Sequence, residues 1–430
     1  MKTSLQAVDK TNLPKLQLKL LQQVAAAAYE KIPFYRKLFQ QEGLTPGEIN
    51  TLQDIEKIPF TTKNDLRNNY PYGFLAAPME DIVRIHASSG TTGKPIVAGY
   101  TKKDLGTWSE LVARICHWAG VTNRDIAQVS FGYGLFTGGF GLHQGLERLG
   151  ATVIPFSSGN TERQLTLMKD FGTTVLVSTP SFAIYMAEVA ESSGLNPRDL
   201  GLRLGLFGGE PCSPLMREEI QHKWGLKATV NYGLTEVIGP GVSGECQAGE
   251  GMHISEDHFY PEIIDPSSGK VLPLGERGEL VITTLTKEGF PLLRYRTRDI
   301  TSFYRQPCSC GNRFLRMEHI AGRSDDMLIV KGVNLFPSQI EDALQQIPEV
   351  SPHYRLVITR KKGYIIGLEV ELELTEAGFT DSFKELEKLE NKIVAHLRSV
   401  LSLTVKVRLL EPKSLERTTG KAKRIIEKNE

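Results

Sequence analysis

The sequence has few cysteines. Five among 430 residues are too few, and of the wrong parity, for a disulfide framework. Nothing in it approaches the ~18 consecutive apolar residues of a membrane-spanning helix, and the opening stretch MKTSLQAVDKTNLPK lacks the apolar centre of a secretory signal. It also lacks an excess charge of one sign: 51 Lys and Arg face 50 Asp and Glu. That balance argues against a chain whose main task is to wrap nucleic acid or to coat an anionic membrane. What is present is 40% hydrophobic and 23% charged residues, which permits a sizeable core and disfavours disorder. Glycine is abundant, at 40 residues, and sits in short clusters rather than in a period. The expectation is a soluble cytoplasmic protein of two or three domains, an enzyme working on small molecules.

Apolar residues at helical spacing (Leu13, Leu16, Leu20, Leu21, Val24, Ala27, Ala28) predict a helix before Pro33. Between Ile82 and Gly209, short apolar runs such as TVLVST (174–179) and GLRLGLFGG (201–209) alternate with helical patterns such as AIYMAEVAESSG, which predicts an α/β layered domain. From Ile263 to Thr301 the pattern turns mostly β, with period-2 character in GELVITTLT. After about residue 322 the composition changes to a compact α+β set: a helix opening at Pro337, two strands around Lys361–Gly363, a long amphipathic helix and a strand TVKVRLL. The fold class expected is therefore α/β, with a large multi-layer N-terminal domain over 1–321 (α/β plus a β block), a short hinge at 322–326, and a small mobile α+β C-terminal domain over 327–430.

Several short segments could carry chemistry. Ser88-Ser89-Gly90-Thr91-Thr92-Gly93-Lys94-Pro95 follows the apolar stretch IVRIHA. Its glycines let backbone N–H groups approach phosphate oxygens, and its hydroxyls and Lys94 add donors and charge. It is not a Walker A loop, because Ser88 and Pro95 stand where that motif needs Gly and Ser or Thr. Phe131-Gly132-Tyr133-Gly134-Leu135-Phe136-Thr137-Gly138-Gly139 fails as a dinucleotide fingerprint at Thr137. It reads either as a loop against a flat apolar ligand or as a glycine-rich helix start packed in the core. Gly208-Gly209-Glu210-Pro211 and Tyr232-Gly233-Leu234-Thr235-Glu236 combine a stacking ring, a hydroxyl and carboxylates, as a site for a purine, a phosphate and Mg²⁺ would need. Alone, the second of these equally fits a strand-turn with surface Thr and Glu. Asp299, in Tyr295-Arg296-Thr297-Arg298-Asp299, could accept hydrogen bonds from two ribose hydroxyls or simply be ion-paired. Gly322-Arg323-Ser324-Asp325-Asp326, Lys331-Gly332 and Thr418-Thr419-Gly420-Lys421-Ala422-Lys423-Arg424 complete the set. By charge alone the last reads as a solvated tail.

In identity, order and spacing together these segments resemble the adenylate-forming acyl-CoA synthetase superfamily, and within it the phenylacetate–CoA ligase family. FGYGLFTGGFG, EDHFYPEIIDP, LTKEGFPLLRYRTRDIT and GRSDDMLIVKGVNLFPSQIE carry the resemblance, which extends from the first helix to Lys421. It implies an AMP-forming acid–thiol ligase that uses ATP, Mg²⁺ and CoA in the breakdown of aromatic acids. By that resemblance, Ser88–Lys94 would cover the β- and γ-phosphates, Gly209 and Glu210 would line the adenine site, and Tyr232 would stack on the base. Thr235 would touch the α-phosphate, Glu236 would hold Mg²⁺, and Asp299 and Arg323 would bind the ribose or phosphate. Asp325 would be the hinge, Lys331 and Gly332 the thioester-forming loop, and Lys421 the catalytic lysine of adenylation. Phe131, Tyr133 and Phe136 would line an aryl-acid pocket, and family members often pair as homodimers. Two other readings stand beside this one: an adenylyltransferase of the same fold with a different acceptor, as in deazaflavin-cofactor adenylation, and an idle binding module. Nucleic-acid and membrane partners are not expected.

One feature lies outside that pattern. Cys246, His253, Cys308 and Cys310 make a Cys₃His set of the ligand types that structural Zn²⁺ takes, although Cys-x-Cys is tighter than the usual finger spacing. Three reduced cysteines with an unrelated histidine is the plainer alternative.

Overall fold

Leu13–Lys31 and Pro33–Gln41 are helices with one buried face, which includes Leu21, Val24, Ala28, Tyr35 and Phe39. Pro33 divides them and takes the first turn of the second helix, where a missing N–H costs nothing. The computed structural model describes residues 12–88, 94–325, 328–330, 333–335, 337–361, 364–401, 403–417 and 424–429.

The large body is organised by one sheet that changes character along its width. Thr152–Ile154, Ile126–Val129, Val175–Ser178, Leu204–Phe207 and Lys227–Leu234 lie side by side, all parallel. Val175–Ser178 and Leu204–Phe207 are buried at every position, as strands covered by helices on both faces must be. Lys227–Leu234 is the pivot, parallel to Leu204–Phe207 on one side and antiparallel to Gly239–Glu245 on the other. Beyond it the sheet continues through Met252–Ile254, Arg316–Met317, Tyr295–Tyr304, Arg277–Thr284 and Phe259–Ile264, all antiparallel. The expected β block is thus a continuation of the α/β sheet. Open parallel sheets bind ligands beyond the carboxyl ends of their strands. Gly208-Gly209-Glu210 follows one such end, and Tyr232–Glu236 occupies the end of the pivot strand.

One hydrophobic core runs from Leu21 to Met317 and a second from Leu328 to Val407. The second lies in a sheet built on the antiparallel pair Val350–Lys361 and Tyr364–Leu374, joined by Lys406–Leu410 and by the short pair Leu328–Val330 and Val333–Leu335. Pro337–Leu344 and Phe383–Leu401 are its helices, the latter burying Ile393, Leu397 and Leu401 at a spacing of four. Of the basic stretch Thr418–Arg424, residues 418–423 lie outside the described residues; Arg424 and the strand after it are packed on the sheet. Ile425–Asn429 pairs in parallel with Val350–Lys361, and the Arg424 guanidinium lies 4.3 Å from the Tyr354 ring centroid. Parallel pairing with a strand some seventy residues earlier leaves no local spacing signal.

Glu188 joins the two bodies. Its carboxylate meets His353 Nε2 at 3.2 Å and Arg417 Nε at 3.4 Å, while Arg417 also pairs with Glu373 at 2.8 Å. Burial alone would raise the Glu188 carboxyl, but His353 and Arg417 hold it below its usual range. Among the described residues no helix is long and apolar enough to cross a membrane.

Candidate functional site

Asp299 sits on Tyr295–Tyr304 within an irregularity in its pairing with Arg277–Thr284, where residues 297–299 stand opposite Leu280 alone. Arg298, one residue earlier, has φ +70°, a left-handed conformation that is strained for a side-chain-bearing residue. A bulge of this kind re-aims the next side chain. Here Asp299 is turned into the interior, where Tyr232 Oη donates to its Oδ2 at 2.5 Å and Arg323 Nη1 donates to its Oδ1 at 2.9 Å. Burial raises the Asp299 carboxyl above its usual range, and Arg323 and Tyr232 oppose that shift. Each carboxylate oxygen keeps a further lone pair for a ligand hydroxyl. Arg323 also holds Asp325, through contacts of 2.9 and 3.0 Å. Tyr232, Asp299, Arg323 and Asp325 therefore form one connected cluster at the edge of the large body.

Thr235 and Glu236 follow at the end of the pivot strand, both buried. Thr235 Oγ1 lies 3.3 Å from Thr137 Oγ1, at the start of helix Thr137–Leu149. Residues 131–136 are therefore a loop, and the glycines of 138–139 open a helix. The reading as a glycine-rich helix start therefore holds for the second half of that motif. Phe131 is buried and stands against Gly209, where an added Cβ would meet its ring at 3.5 Å. Gly209 has φ +81°, which suits glycine. Tyr133 packs edge-on against Phe140, and its hydroxyl lies 3.0 Å from His143 Nδ1; His143 Nε2 in turn meets Glu147 at 3.0 Å. Phe136 is 45% exposed. The Glu210 carboxylate accepts the Ser181 N–H at 2.7 Å at the head of helix Pro180–Ser192.

Ser88 closes the base of its loop. Its N–H donates to Ile96 O and its hydroxyl accepts from Ile96 N, both at 2.9 Å. Lys94 Nζ is 5.7 Å from the Tyr70 ring centroid. Ser89, Gly90, Thr91, Thr92, Gly93, Lys331, Gly332 and Lys421 lie outside the described residues.

Residues that sequence reasoning missed surround Glu236. Lys287 is buried beneath it and donates to Val237 O at 2.8 Å and Glu236 O at 3.4 Å, with Nζ 4.4 Å from the Tyr100 ring centroid. The signal available in the sequence was its place in LTKEGFPLLRYRTRDIT, where nothing distinguishes it from the other charged residues. Burial pushes the Lys287 ammonium down to about 7, against the pull of Asp104 and Glu236. An unfolded lysine holds its proton to about pH 10.4. Between those values the unfolded chain binds more protons, so a rise in pH favours the folded state. Urea unfolding of the wild type and Lys287→Met should show a stability difference that shifts toward the wild type from about pH 7 to about pH 10. A difference independent of pH would contradict this.

Cys246, His253, Cys308 and Cys310 converge, with ligand atoms all within 4.8 Å of one another. Cys246 Sγ is 3.6 Å from Cys308 Sγ, and Cys310 Sγ is 3.4 Å from His253 Nε2. A tetrahedron with bonds of ~2.3 Å has edges of about 3.7 Å, so the set fits a single small cation. His253 Nδ1 faces Phe314 O at 3.5 Å, the outer contact that leaves Nε2 for a metal.

The family model described as AMP-binding enzyme matches residues 19–286, and that described as AMP-binding enzyme C-terminal domain matches 332–429. The chain is 45% identical to the phenylacetate-coenzyme A ligase of Aromatoleum evansii, over 99% of this chain and 96% of that one. It is 44% identical to the ligase of the same name from Thermus thermophilus, over 98% of each chain. The Escherichia coli ligase is 45% identical over 96% of this chain and 94% of its own. Among solved structures, 2-hydroxyisobutyryl-CoA ligase in its postadenylation state with 2-HIB-AMP superposes with a TM-score of 0.92 at 30% identity, covering 99% of this chain and 91% of that one. The same ligase with 2-HIB-AMP and CoA in its thioesterification state gives 0.72, covering 99% and 92%.

Proposed function

The chain belongs to the phenylacetate–coenzyme A ligase family of AMP-binding enzymes, and on that premise we propose that it activates phenylacetate or a closely related aryl acid. It is an ATP-dependent acid–CoA ligase that works through an acyl adenylate. A carboxylate is a poor acyl donor. Attack of its oxygen on the α-phosphorus of ATP expels pyrophosphate and gives a mixed anhydride. The CoA sulfur, losing its proton, then attacks the acyl carbon, and AMP leaves as the thioester forms. Such a site must align the carboxylate, offset phosphate charge and exclude water.

We assign Asp299 and Arg323 to the ribose, Tyr232 and Gly209 to the base, and Thr235 to the α-phosphate, with Ser88–Lys94 over the outer phosphates. The observation that carries this is the Tyr232–Asp299–Arg323 cluster beside Thr235 and Glu236 at the end of the pivot strand. Glu210, bound to a helix head, shapes the adenine side through backbone rather than carboxylate. Glu236 would hold Mg²⁺, which supplies neutralisation of phosphate charge. Phe131 and Tyr133 line the aryl side. In this reading Lys421 serves adenylation, the small body turns about Asp325, and Lys331–Gly332 serves thioester formation. The closer fit to one state of 2-hydroxyisobutyryl-CoA ligase than to another supports a small body that takes more than one position. The reading extends to a cytoplasmic homodimer in aromatic-acid breakdown, without nucleic-acid or membrane partners.

The test is an assay with ATP, Mg²⁺ and CoA over a panel of aryl and aliphatic acids, following AMP and acyl-CoA together. AMP and thioester from phenylacetate or a near relative would support the reading. Pyrophosphate without thioester would move it to an adenylyltransferase with another acceptor, and no turnover with any acid would overturn it.

We assign a structural Zn²⁺ to Cys246, His253, Cys308 and Cys310. These residues tie the end of Gly239–Glu245 and the strand Met252–Ile254 to the connection between Tyr295–Tyr304 and Arg316–Met317. Elemental analysis should find about one zinc per chain. Cys308→Ser should lose it and unfold several degrees lower, while ATP affinity at low temperature is retained. Purified protein without metal would end the assignment.

A further inference from the structure

We infer that Lys63 is a phosphate-binding lysine built into the large body, held on Glu236 until Mg²⁺ and ATP arrive; this rests on the nucleotide reading of the site given above. Lys63 Nζ lies 3.4 Å from Glu236 Oε1, whose side chain is only 7% exposed. An ion pair between two surface chains would mean little, but this one has a buried carboxylate and a fixed mount. Thr61, two residues earlier, is fully buried. Its N–H donates to Arg294 O at 3.0 Å, and its carbonyl accepts from Arg296 N at 2.9 Å. Its hydroxyl donates to Leu293 O at 2.7 Å and lies 3.0 Å from Tyr35 Oη. Thr62 and Asp65 then close a reciprocal cap around Lys63. The strand that carries Asp299 and its approach therefore also position the backbone of Lys63.

The chemistry follows from distances. Mg²⁺ bonds oxygen at about 2.0–2.1 Å, so a phosphate oxygen sharing a metal with Glu236 lies about 3–4 Å from the carboxylate. That is the shell the Lys63 ammonium already occupies. A Mg²⁺ held by Glu236 would supply the carboxylate's counter-charge, and the Lys63 ammonium would then serve the phosphate, as a point charge with three donors. Lys63 would then be a cation that stays with the nucleotide in every position of the small body.

Calorimetry with the full chain tests this, using Mg·ATP and AMP as probes against wild type, Lys63→Met and Lys63→Arg. A hydrogen bond between charged groups predicts that Lys63→Met weakens Mg·ATP about tenfold or more. AMP, which lacks the outer phosphates, should change less than about twofold, and Lys63→Arg should restore most of the loss. Unchanged Mg·ATP affinity in Lys63→Met would overturn the inference, and so would equal weakening of ATP and AMP, the mark of a merely structural lysine. A wild type that fails to bind Mg·ATP at all would overturn the nucleotide reading itself, and this assignment with it.

Discussion

Replacing Lys421 with alanine should abolish acid-dependent ATP–pyrophosphate exchange while leaving thioester formation from preformed acyl adenylate nearly intact. The α-phosphorus gathers negative charge only as it becomes five-coordinate. A cation aimed at that point stabilises the transition state more than bound ATP. Loss of one such preorganised charge typically costs about 10²–10³ in rate. Thioester formation breaks the carbonyl–phosphate bond, and in the proposed cycle the small body has by then turned Lys421 away. Rapid-quench measurement of both half-reactions separates the cases: equal loss in both would contradict the assigned role. The residues on either side of 418–423 are well held, Arg417 by Glu188 and Glu373, and Ile425 by pairing with Leu356.

Asp299→Ala should weaken ATP binding by about 10²–10⁴-fold. The proposed contacts are two hydrogen bonds from ribose hydroxyls to a charged acceptor, each worth about 1.5–3 kcal/mol. The substitution also leaves Arg323 and Tyr232 without their shared carboxylate. Asp299→Asn keeps the shape and one acceptor oxygen, so its loss should be smaller. Equilibrium binding of ATP and of adenine compared across the two variants checks this. The base alone should be little affected, and an unchanged ATP affinity would sink the ribose assignment.

Much of this was legible in the sequence because it depends on local pattern. The runs around 175–178 and 204–207 are apolar on both faces, and they form buried parallel strands. Glycine, hydroxyl and carboxylate clusters at strand ends marked Gly209 and Tyr232–Glu236. The four zinc-type ligands were found by residue type, although His253 and Cys310 are 57 residues apart. Other features were hidden. Lys63 belongs to no motif and Lys287 is one residue within the long stretch LTKEGFPLLRYRTRDIT, so nothing local singles either out; what marks them is their position beside the buried Glu236. The aim of Asp299 depends on a left-handed Arg298 that no residue preference announces, since only glycine enters that region freely. Glu210 carries the expected neighbours, yet its carboxylate is taken by a helix head that comes 29 residues earlier. Charge near Arg424 suggested a solvated end, whereas the strand Ile425–Asn429 that follows it finds its partner in a distant strand.

The two-armed contact of Glu188 with His353 and Arg417 has a consequence for the timing of the cycle. A small body that swings once per turnover must strip that carboxylate of both partners and then restore them. In the proposed cycle the contact would act as a latch released once per stroke. Ionic strength weakens the pull between these groups chiefly once they have parted by more than the ~8–10 Å screening length, so it slows the closing of such a latch more than it loosens the closed contact at 3.2–3.4 Å. Salt would then act less on the chemistry at phosphorus than on the dwell between the two half-reactions, and the enzyme's tempo would be written in an ion pair remote from any reacting atom.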